Sequence, residues 1–394
     1  MASPSIEGYA MRIEVFDDEA SGSLCPLVWT RPIADLRLGA MTARERADWA
    51  ERKHGGAATG AVAVVRGRWL AGAAELAGLA ELGVGRAWTV GQTVVAGVLG
   101  AEAAQLWADA GDDAAREAVL AGLSAEALPG AMREAGLAEH VGHLLDRQAG
   151  LLAGDLEALG GADATSAAVH STAVIDASGG PVRIEAGATV GPMAVIEGPC
   201  WIGPGATVAP HAHLRAMTVI GRGCKVGGEV SASVLGDCSN KAHYGYLGNS
   251  LIGAWCNLGA GTVTSNLKNT YGPVRVQTTA DGPAVDTGRD RLGTVMGDFV
   301  RTGIGTRLNT GSWVEPAVSL ALSAIAPKRV AAFSFVTDAG DRLYDWGAFE
   351  TAVSRMMSRK NEALSESQWA RLRGLHAKAA AGRWGLPEGG ELSA

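Results

Sequence analysis

The chain has 394 residues, enough for two or three domains and a large core. Glycine is abundant, at 55 residues, and although 47% of the chain is hydrophobic only 5% is aromatic, so small aliphatic side chains must build the core. A formal charge of −7 gives no footprint for nucleic acid, and no apolar run reaches the roughly 18 residues that a membrane span requires.

The N-terminus has no basic segment followed by an apolar one, so no secretory leader is expected. Five scattered cysteines (Cys25, Cys200, Cys224, Cys238, Cys256) form no CxxC pair and no disulfide framework, which points to a reduced, soluble, cytoplasmic protein. Residues 11–160 predict an α/β domain. Within it the runs 11–16 (MRIEVF), 61–70 (AVAVVRGRWL) and 88–99 (WTVGQTVVAGVL) are β-prone. Ala/Leu/Glu-rich stretches, 101–144 above all, have helical spacing.

From Val169 a strict period of six takes over, with Ile184, Val190, Ile196, Ile202, Val208, Leu214, Ile220 and Val226 in phase. Four residues after each stands a small or β-branched residue, from Ala188 to Val230. The pattern returns at Ile252, Leu258 and Thr264, and again at Met296, Thr302, Leu308, Val314 and Leu320. An α-helix of 3.6 residues per turn would smear such a period around its cylinder. A parallel β-helix of hexapeptide repeats holds it, because each hexad is one flat face with its aliphatic residue pointing into a narrow prism. This domain is expected over 165–330. Residues 340–394 predict helices, with Trp346, Phe349, Val353, Met356 and Met357 on one stripe and Leu364, Trp369 and Leu372 on another. They are expected to cover the open end of the prism or a neighbouring subunit.

Two breaks in the rhythm draw attention, since solenoids place sites in loops. The first, residues 235–252 (LGDCSNKAHYGYLGNSLI), is a phase slip of two; the second, 265–294, is a long polar excursion that holds Tyr271, Val274 and Val276. Between them lies the glycine-bracketed face Asn257-Leu258-Gly259-Ala260-Gly261-Thr262.

The run KAHYGYLGNSLIGAWCNLGAGTVTSNLKN resembles the KAGHxxYLGDxxIGxxxNIGAGTxxxN segment in the acetyltransferase domain of the bifunctional uridylyltransferase/glucosamine-1-phosphate acetyltransferase family. The opening, with LCPLVWTRPIADLRLG from Leu24 to Gly39, is similar to shorter GlmU-like sugar nucleotidyltransferase proteins, and GDFVRTGIGTRLNTG extends the resemblance. It implies a nucleotidyltransferase-like α/β domain followed by a left-handed parallel β-helix, the hand being carried by the resemblance alone. It also implies a homotrimer that transfers an acyl group, most simply from acetyl-CoA, to a primary amine such as an amino sugar phosphate. By the same resemblance His243 is the general base, Asn266 positions acceptor and base, and Tyr246 and Asn257 face the acceptor. The Ala260 amide addresses the thioester carbonyl, and Ala260, Gly261, Gly303 and Thr306 lie along the cofactor. An imidazole, with an ordinary pKa near 6.5, suits proton removal at neutral pH, and backbone N–H groups of a glycine-rich coil can hold an oxyanion.

Departures from the family limit the substrate. No cation stands near Ser231, where the family grips a sugar phosphate, so Lys241, Lys268, Arg275 and Arg289 are the candidates to compensate. The first strand ends in Asp17-Asp18-Glu19-Ala20 instead of a glycine-rich phosphate loop, which predicts a degenerate nucleotidyltransferase-like domain kept for assembly or binding. Mg²⁺ is implied only if that domain is active. Arg31 and Arg37 could bind an anion or pair with Asp35. His211 and His213 raise a zinc alternative, with His243 or His170, because γ-class carbonic anhydrases share this fold. Alternating strand residues point to opposite sides of the wall, so no metal is expected. A non-catalytic sugar-nucleotide-binding scaffold is the remaining alternative.

Overall fold

The computed structural model describes residues 10–53, 58–129, 136–161, 167–279 and 282–382. The leader expectation at residues 1–9, the domain boundary near 165 and the helical expectation for 383–394 fall outside them.

In chain order the N-terminal domain comprises β1 (Ala10–Phe16), α1 (Ala43–Lys53), β2 (Ala58–Arg66), α2 (Ala73–Gly78), β3 (Arg86–Val90), β4 (Thr93–Leu99), α3 (Ala101–Asp109), α4 (Asp113–Ala121), β5 (Ser124–Ala127) and α5 (Val141–Ala158). Its sheet runs β1-β2-β4-β3-β5. Two expectations are corrected here. The run 88–99 is a hairpin, because Gly91, at φ 60°, turns the chain so that Val90 pairs with Thr93. The helical stretch 101–144 is interrupted at Gly111–Asp112, where the Asp112 carboxylate caps α4 by accepting from Ala115 N–H at 2.8 Å. It is interrupted again by β5, whose Ser-Ala-Glu-Ala sequence becomes a strand through pairing with the open edge of β3.

The hexad region forms ladders of ten, eight and five strands, the three faces of a β-helix, parallel throughout except for the terminal strand Gly340–Leu343, which pairs antiparallel with Ser334–Thr337. Every aliphatic residue in phase from Ile184 to Val226 is buried in one core with Ala188, Ala194, Ala206 and Ala212, whose small volumes suit the corners of the prism. The ladder continues past residue 330, since Leu320 pairs with Val336.

The phase slip begins earlier than the sequence pattern suggests. Leu214 pairs with Val230, Ile220 with Leu235, and Val226 with Lys241. The hexad is shortened at Gly227-Gly228, where Gly228 adopts φ 73°, so that Val230 moves into an inward slot on the next face, and the next hexad is shortened again between Val230 and Leu235, where Ala232 adopts φ 44°. Lys241 consequently lands in the inward column beneath Val226, a place every coil before it fills with an aliphatic residue.

The eight-stranded face is covered by the N-terminal domain. Trp201, Val219, Val234, Leu251, Val295 and Trp313 point outward from the prism, yet they share one buried cluster with Leu144, Leu145 and Leu152 of α5. The element at Leu24–Gly39 supplies the polar part of this joint. Arg31 bonds Asp298 through its Nε at 3.0 Å, and Arg37 bonds Asp237 at 2.8 Å while lying 4.9 Å over the Trp201 ring. Arg31 and Arg37 are therefore docking residues; the expected pairing partner Asp35 is taken by Arg44.

The excursion folds back on the same joint. Arg275–Val276 and Val285–Asp286 form a short hairpin, Val274, Val276 and Leu292 are buried in the shared cluster, and Tyr271 stays 75% exposed.

Two helices end the described chain, α6 (Trp346–Ser358) and α7 (Glu366–Ala380). They do not lid the open end of the prism. Phe349 in α6 stacks edge-on with Phe333 and Phe299, and beyond its C-terminus Glu362 pairs with Arg222 at 2.8 Å, so α6 runs back along the flank across several coils. The corner beneath explains this placement. Its left-handed residues are Gly187, Gly205 and Gly223 in early coils, then Cys238, Trp255, Phe299, Ala317 and Phe333. A side chain at positive φ is strained by about 1–2 kcal/mol. The large rings offset that cost by packing against α6.

Candidate functional site

His243 and Tyr244 occupy a corner between the ten-stranded and five-stranded faces, both exposed, Tyr244 by 71%. The next corners in the stack are Ala260-Gly261 and Ile304-Gly305. Gly261 N–H donates to the Tyr244 carbonyl at 3.2 Å and Gly305 N–H to the Ala260 carbonyl at 2.8 Å. Gly261 has φ 73° and a Cβ there would sit 2.8 Å from the Tyr244 hydroxyl, so the tyrosine can lie over this corner only above a glycine. Among the described residues no acceptor bonds the Ala260 N–H. An unbonded backbone N–H one coil from His243 is a donor of the kind that can hold an oxyanion.

On the adjoining five-stranded face, Tyr246 follows His213 and Glu229 in the outward column. Asn266, at the root of the excursion and 8% exposed, donates from Nδ2 to the Tyr246 hydroxyl at 3.0 Å and to Asn249 Oδ1 at 2.7 Å. Tyr246 and Asn266, which the resemblance assigns to the acceptor, thus meet in the structure, and Asn249 is the member that sequence reasoning missed. Its signal was the chain reversal after Gly248, where it adopts φ 46°.

Other expected residues lie elsewhere. Asn257 is exposed on the ten-stranded face, aligned with Asn240 and Arg301, and does not join Tyr246 and Asn266. The Thr306 side chain is buried and donates to the Gly303 carbonyl at 2.9 Å, so it ties its own corner together and does not face a cofactor. Lys268 is half-buried near Lys328, whose pKa is lowered by burial and then by Lys268 itself. Arg289 pairs with Asp146 of α5, and Arg275 donates to the Ala284 carbonyl. His213 bonds Glu197 at 2.6 Å, and among the described residues no three His, Cys, Asp or Glu side chains converge as a metal site.

Lys241 is the clearest correction. Its side chain is 2% exposed and Nζ donates to the carbonyls of Gly227, at 2.9 Å, and His243, at 3.0 Å. It ties the His243 corner from inside the prism and cannot contact a substrate. Burial pushes its pKa down from 10.5 to about 8. The unfolded chain therefore binds more protons between those values, and the wild type should gain stability as pH rises from about 8 to 10.5. Lys241→Met removes the titration, so wild type should gain about 3 kcal/mol relative to the variant across that window. Urea midpoints for both proteins at several pH values check this; parallel curves would contradict it.

The end of β1 opens on a cavity of about 820 Å³ lined in part by Asp18, Glu19, Arg66, Arg68, Asp113 and Glu117. Burial alone would raise the Asp18 pKa, but hydrogen bonds from Arg68, Ser21 and Arg66 outweigh it and hold the carboxyl at about 2. Both arginines are thereby committed to a carboxylate, at 2.7 Å each, where a triphosphate cradle would need unpaired donors. Asp17 is pushed up to about 6 by burial, which the Ile33 N–H only partly offsets.

The sugar nucleotidyl transferase family matches at residues 13–59, which contain the docking arginines. The bifunctional protein GlmU of Methanocaldococcus jannaschii is 39% identical over 92 residues, 22% of either chain. The bifunctional sugar-1-phosphate nucleotidylyltransferase/acetyltransferase of Sulfurisphaera tokodaii is 36% identical over 83 residues, 21% of this chain and 20% of its own. A bifunctional GlmU from Gloeothece citriformis is 31% identical over 120 residues, 29% of this chain and 25% of that one. A solved UDP-N-acetylglucosamine acyltransferase from Campylobacter jejuni covers 53% of this chain and 89% of its own, at 13% identity and a TM-score of 0.20, too low to bear on function. The chain spans about a fifth to a quarter of the length of these curated relatives. Over that span it is similar to the bifunctional GlmU-type sugar-1-phosphate nucleotidylyltransferases/acetyltransferases.

Proposed function

We propose that this chain is an acyl-CoA-dependent N-acyltransferase, with acetyl-CoA as donor and a primary amine as acceptor, working as a homotrimer. The observation that carries the reading is the exposed His243 corner stacked on the unbonded Ala260 N–H, beside the Tyr246–Asn266–Asn249 cluster. His243 takes the proton as the acceptor nitrogen attacks the thioester carbonyl. The Ala260 N–H receives the developing oxyanion, the C–S bond breaks, and the CoA thiolate leaves and is reprotonated. Tyr246, held by Asn266, orients the acceptor. An amino sugar phosphate is the acceptor that the resemblance to the uridylyltransferase/glucosamine-1-phosphate acetyltransferase family implies.

Nucleotidyl transfer with Mg²⁺ is the second reading, favoured by the family match at residues 13–59. The pairing of Asp18 with Arg66 and Arg68 weighs against it. Incubating the full chain with acetyl-CoA and a panel of amines that includes glucosamine-1-phosphate, followed by mass spectrometry, tests the first reading. An acetylated product with release of CoA thiol is expected. No mass-shifted amine, together with pyrophosphate release from UTP and sugar phosphates, would replace it with the second.

A further inference from the structure

A cavity of about 790 Å³ lies between the ten-stranded face and the C-terminal part of α6. Lys225 and Arg301 approach it from the solenoid, and Arg355, Arg359 and Lys360 from the helix end, with no carboxylate among the lining residues. None of these five cations forms an ion pair among the described residues. The two nearby acids are already committed, Asp237 to Arg37 and Glu362 to Arg222. In a chain of formal charge −7 such a concentration of one sign is not a bulk property.

The bland account is that cations at a helix C-terminus favour the macrodipole, and it covers Arg355, Arg359 and Lys360. It does not cover Lys225 and Arg301, which belong to another element and face the same gap. Like charges on two sides of one cleft repel unless an anion lies between them. The cleft wall also holds Asn240, whose Oδ1 is buried without a hydrogen-bond partner. Whichever way that amide is turned, it offers an unused group to a ligand.

We infer that this cleft binds a diphosphate-bearing small molecule, the five cations meeting the phosphates and Asn240 a neighbouring hydroxyl or carbonyl. Asn240 and Asn257 each stand three residues before the His243 and Ala260 corners, about 10 Å along the coil, so the bound molecule reaches toward that corner. The diphosphate could belong to an acyl-CoA or to a nucleotide sugar. The inference does not need acyl transfer to be the activity, because it is read as binding.

The test titrates the full chain with inorganic pyrophosphate, CoA and UDP-N-acetylglucosamine at low ionic strength, by calorimetry. Arg355 on α6 and Arg359 just past its end are exposed, away from the helix's buried side at Phe349, Val353 and Met357, so Arg355→Glu/Arg359→Glu leaves the packing intact. Lys225→Glu, exposed on the solenoid, challenges the opposite wall. Pyrophosphate should bind wild type, and each charge-reversal variant should weaken it by about 10-fold or more. The apparent affinity should fall steeply with added salt. Whichever of CoA and UDP-N-acetylglucosamine binds more tightly than pyrophosphate identifies the source of the diphosphate. His243→Ala should bind as wild type does, which separates this outcome from loss of transfer. No pyrophosphate binding, or binding indifferent to both charge reversals, overturns the inference.

Discussion

Replacing His243 by alanine is expected to lower kcat for acyl transfer by about 100- to 10,000-fold, the usual contribution of a positioned general base. The imidazole is exposed at a corner, and the corner itself is tied by backbone bonds and by the Lys241 ammonium beneath it. Removing the ring should therefore leave the denaturation midpoint and the CoA affinity unchanged. This separates a chemical role from a structural one, since a structural residue would move all three quantities together. Thiol release from acetyl-CoA with the best amine of the panel, measured at saturating substrate, checks the prediction. An unchanged kcat would remove His243 from the mechanism and leave the Tyr246–Asn266–Asn249 cluster as a binding feature only.

The prism was legible in the sequence because its physical constraint is periodic. Each coil must present an aliphatic residue to a narrow interior, and Ile184 through Val226 do so without exception. The slip was visible as a slip but its origin was not. Two glycines shorten a corner, and whether Val230 then fills a face or a corner depends on ladder pairing with Leu214, which no local pattern encodes. Lys241 followed from that: a lysine reads as a surface residue, and only the register with Val226 places it inside. Tyr246 and Asn266, 20 residues apart, meet because one coil separates them, so hexad arithmetic brings them together. Asn257 failed the same test, because its slot points to the face under α6. The docking role of Arg31 and Arg37 was invisible, since their partners Asp298 and Asp237 lie 267 and 200 residues away.

That long-range pairing carries the largest expected stability effect. Asp298 is 2% exposed, and it accepts from the Thr30 hydroxyl, from Arg31 Nε at 3.0 Å and from Ala254 N–H at 2.7 Å. Asp298→Ala leaves the Arg31 guanidinium facing the joint without its hydrogen-bonded counter-charge, Asp237 and Asp35 acting only through space, and the buried Ala254 N–H without an acceptor. Breaking one side of a buried pair costs about 3–5 kcal/mol, most of it the desolvation of the abandoned charge. Domains that share a core need not unfold together once their joint is weakened. The variant should therefore lose the N-terminal domain's protease resistance at lower urea than wild type, before the solenoid unfolds. Pairing the change with Arg31→Met tests the cause, because the double variant no longer strands a charge and should be more stable than Asp298→Ala alone. If Asp298→Ala unfolds at the wild-type midpoint, the apolar cluster around Trp201, Trp313 and α5 holds the joint by itself and the ion pair is incidental.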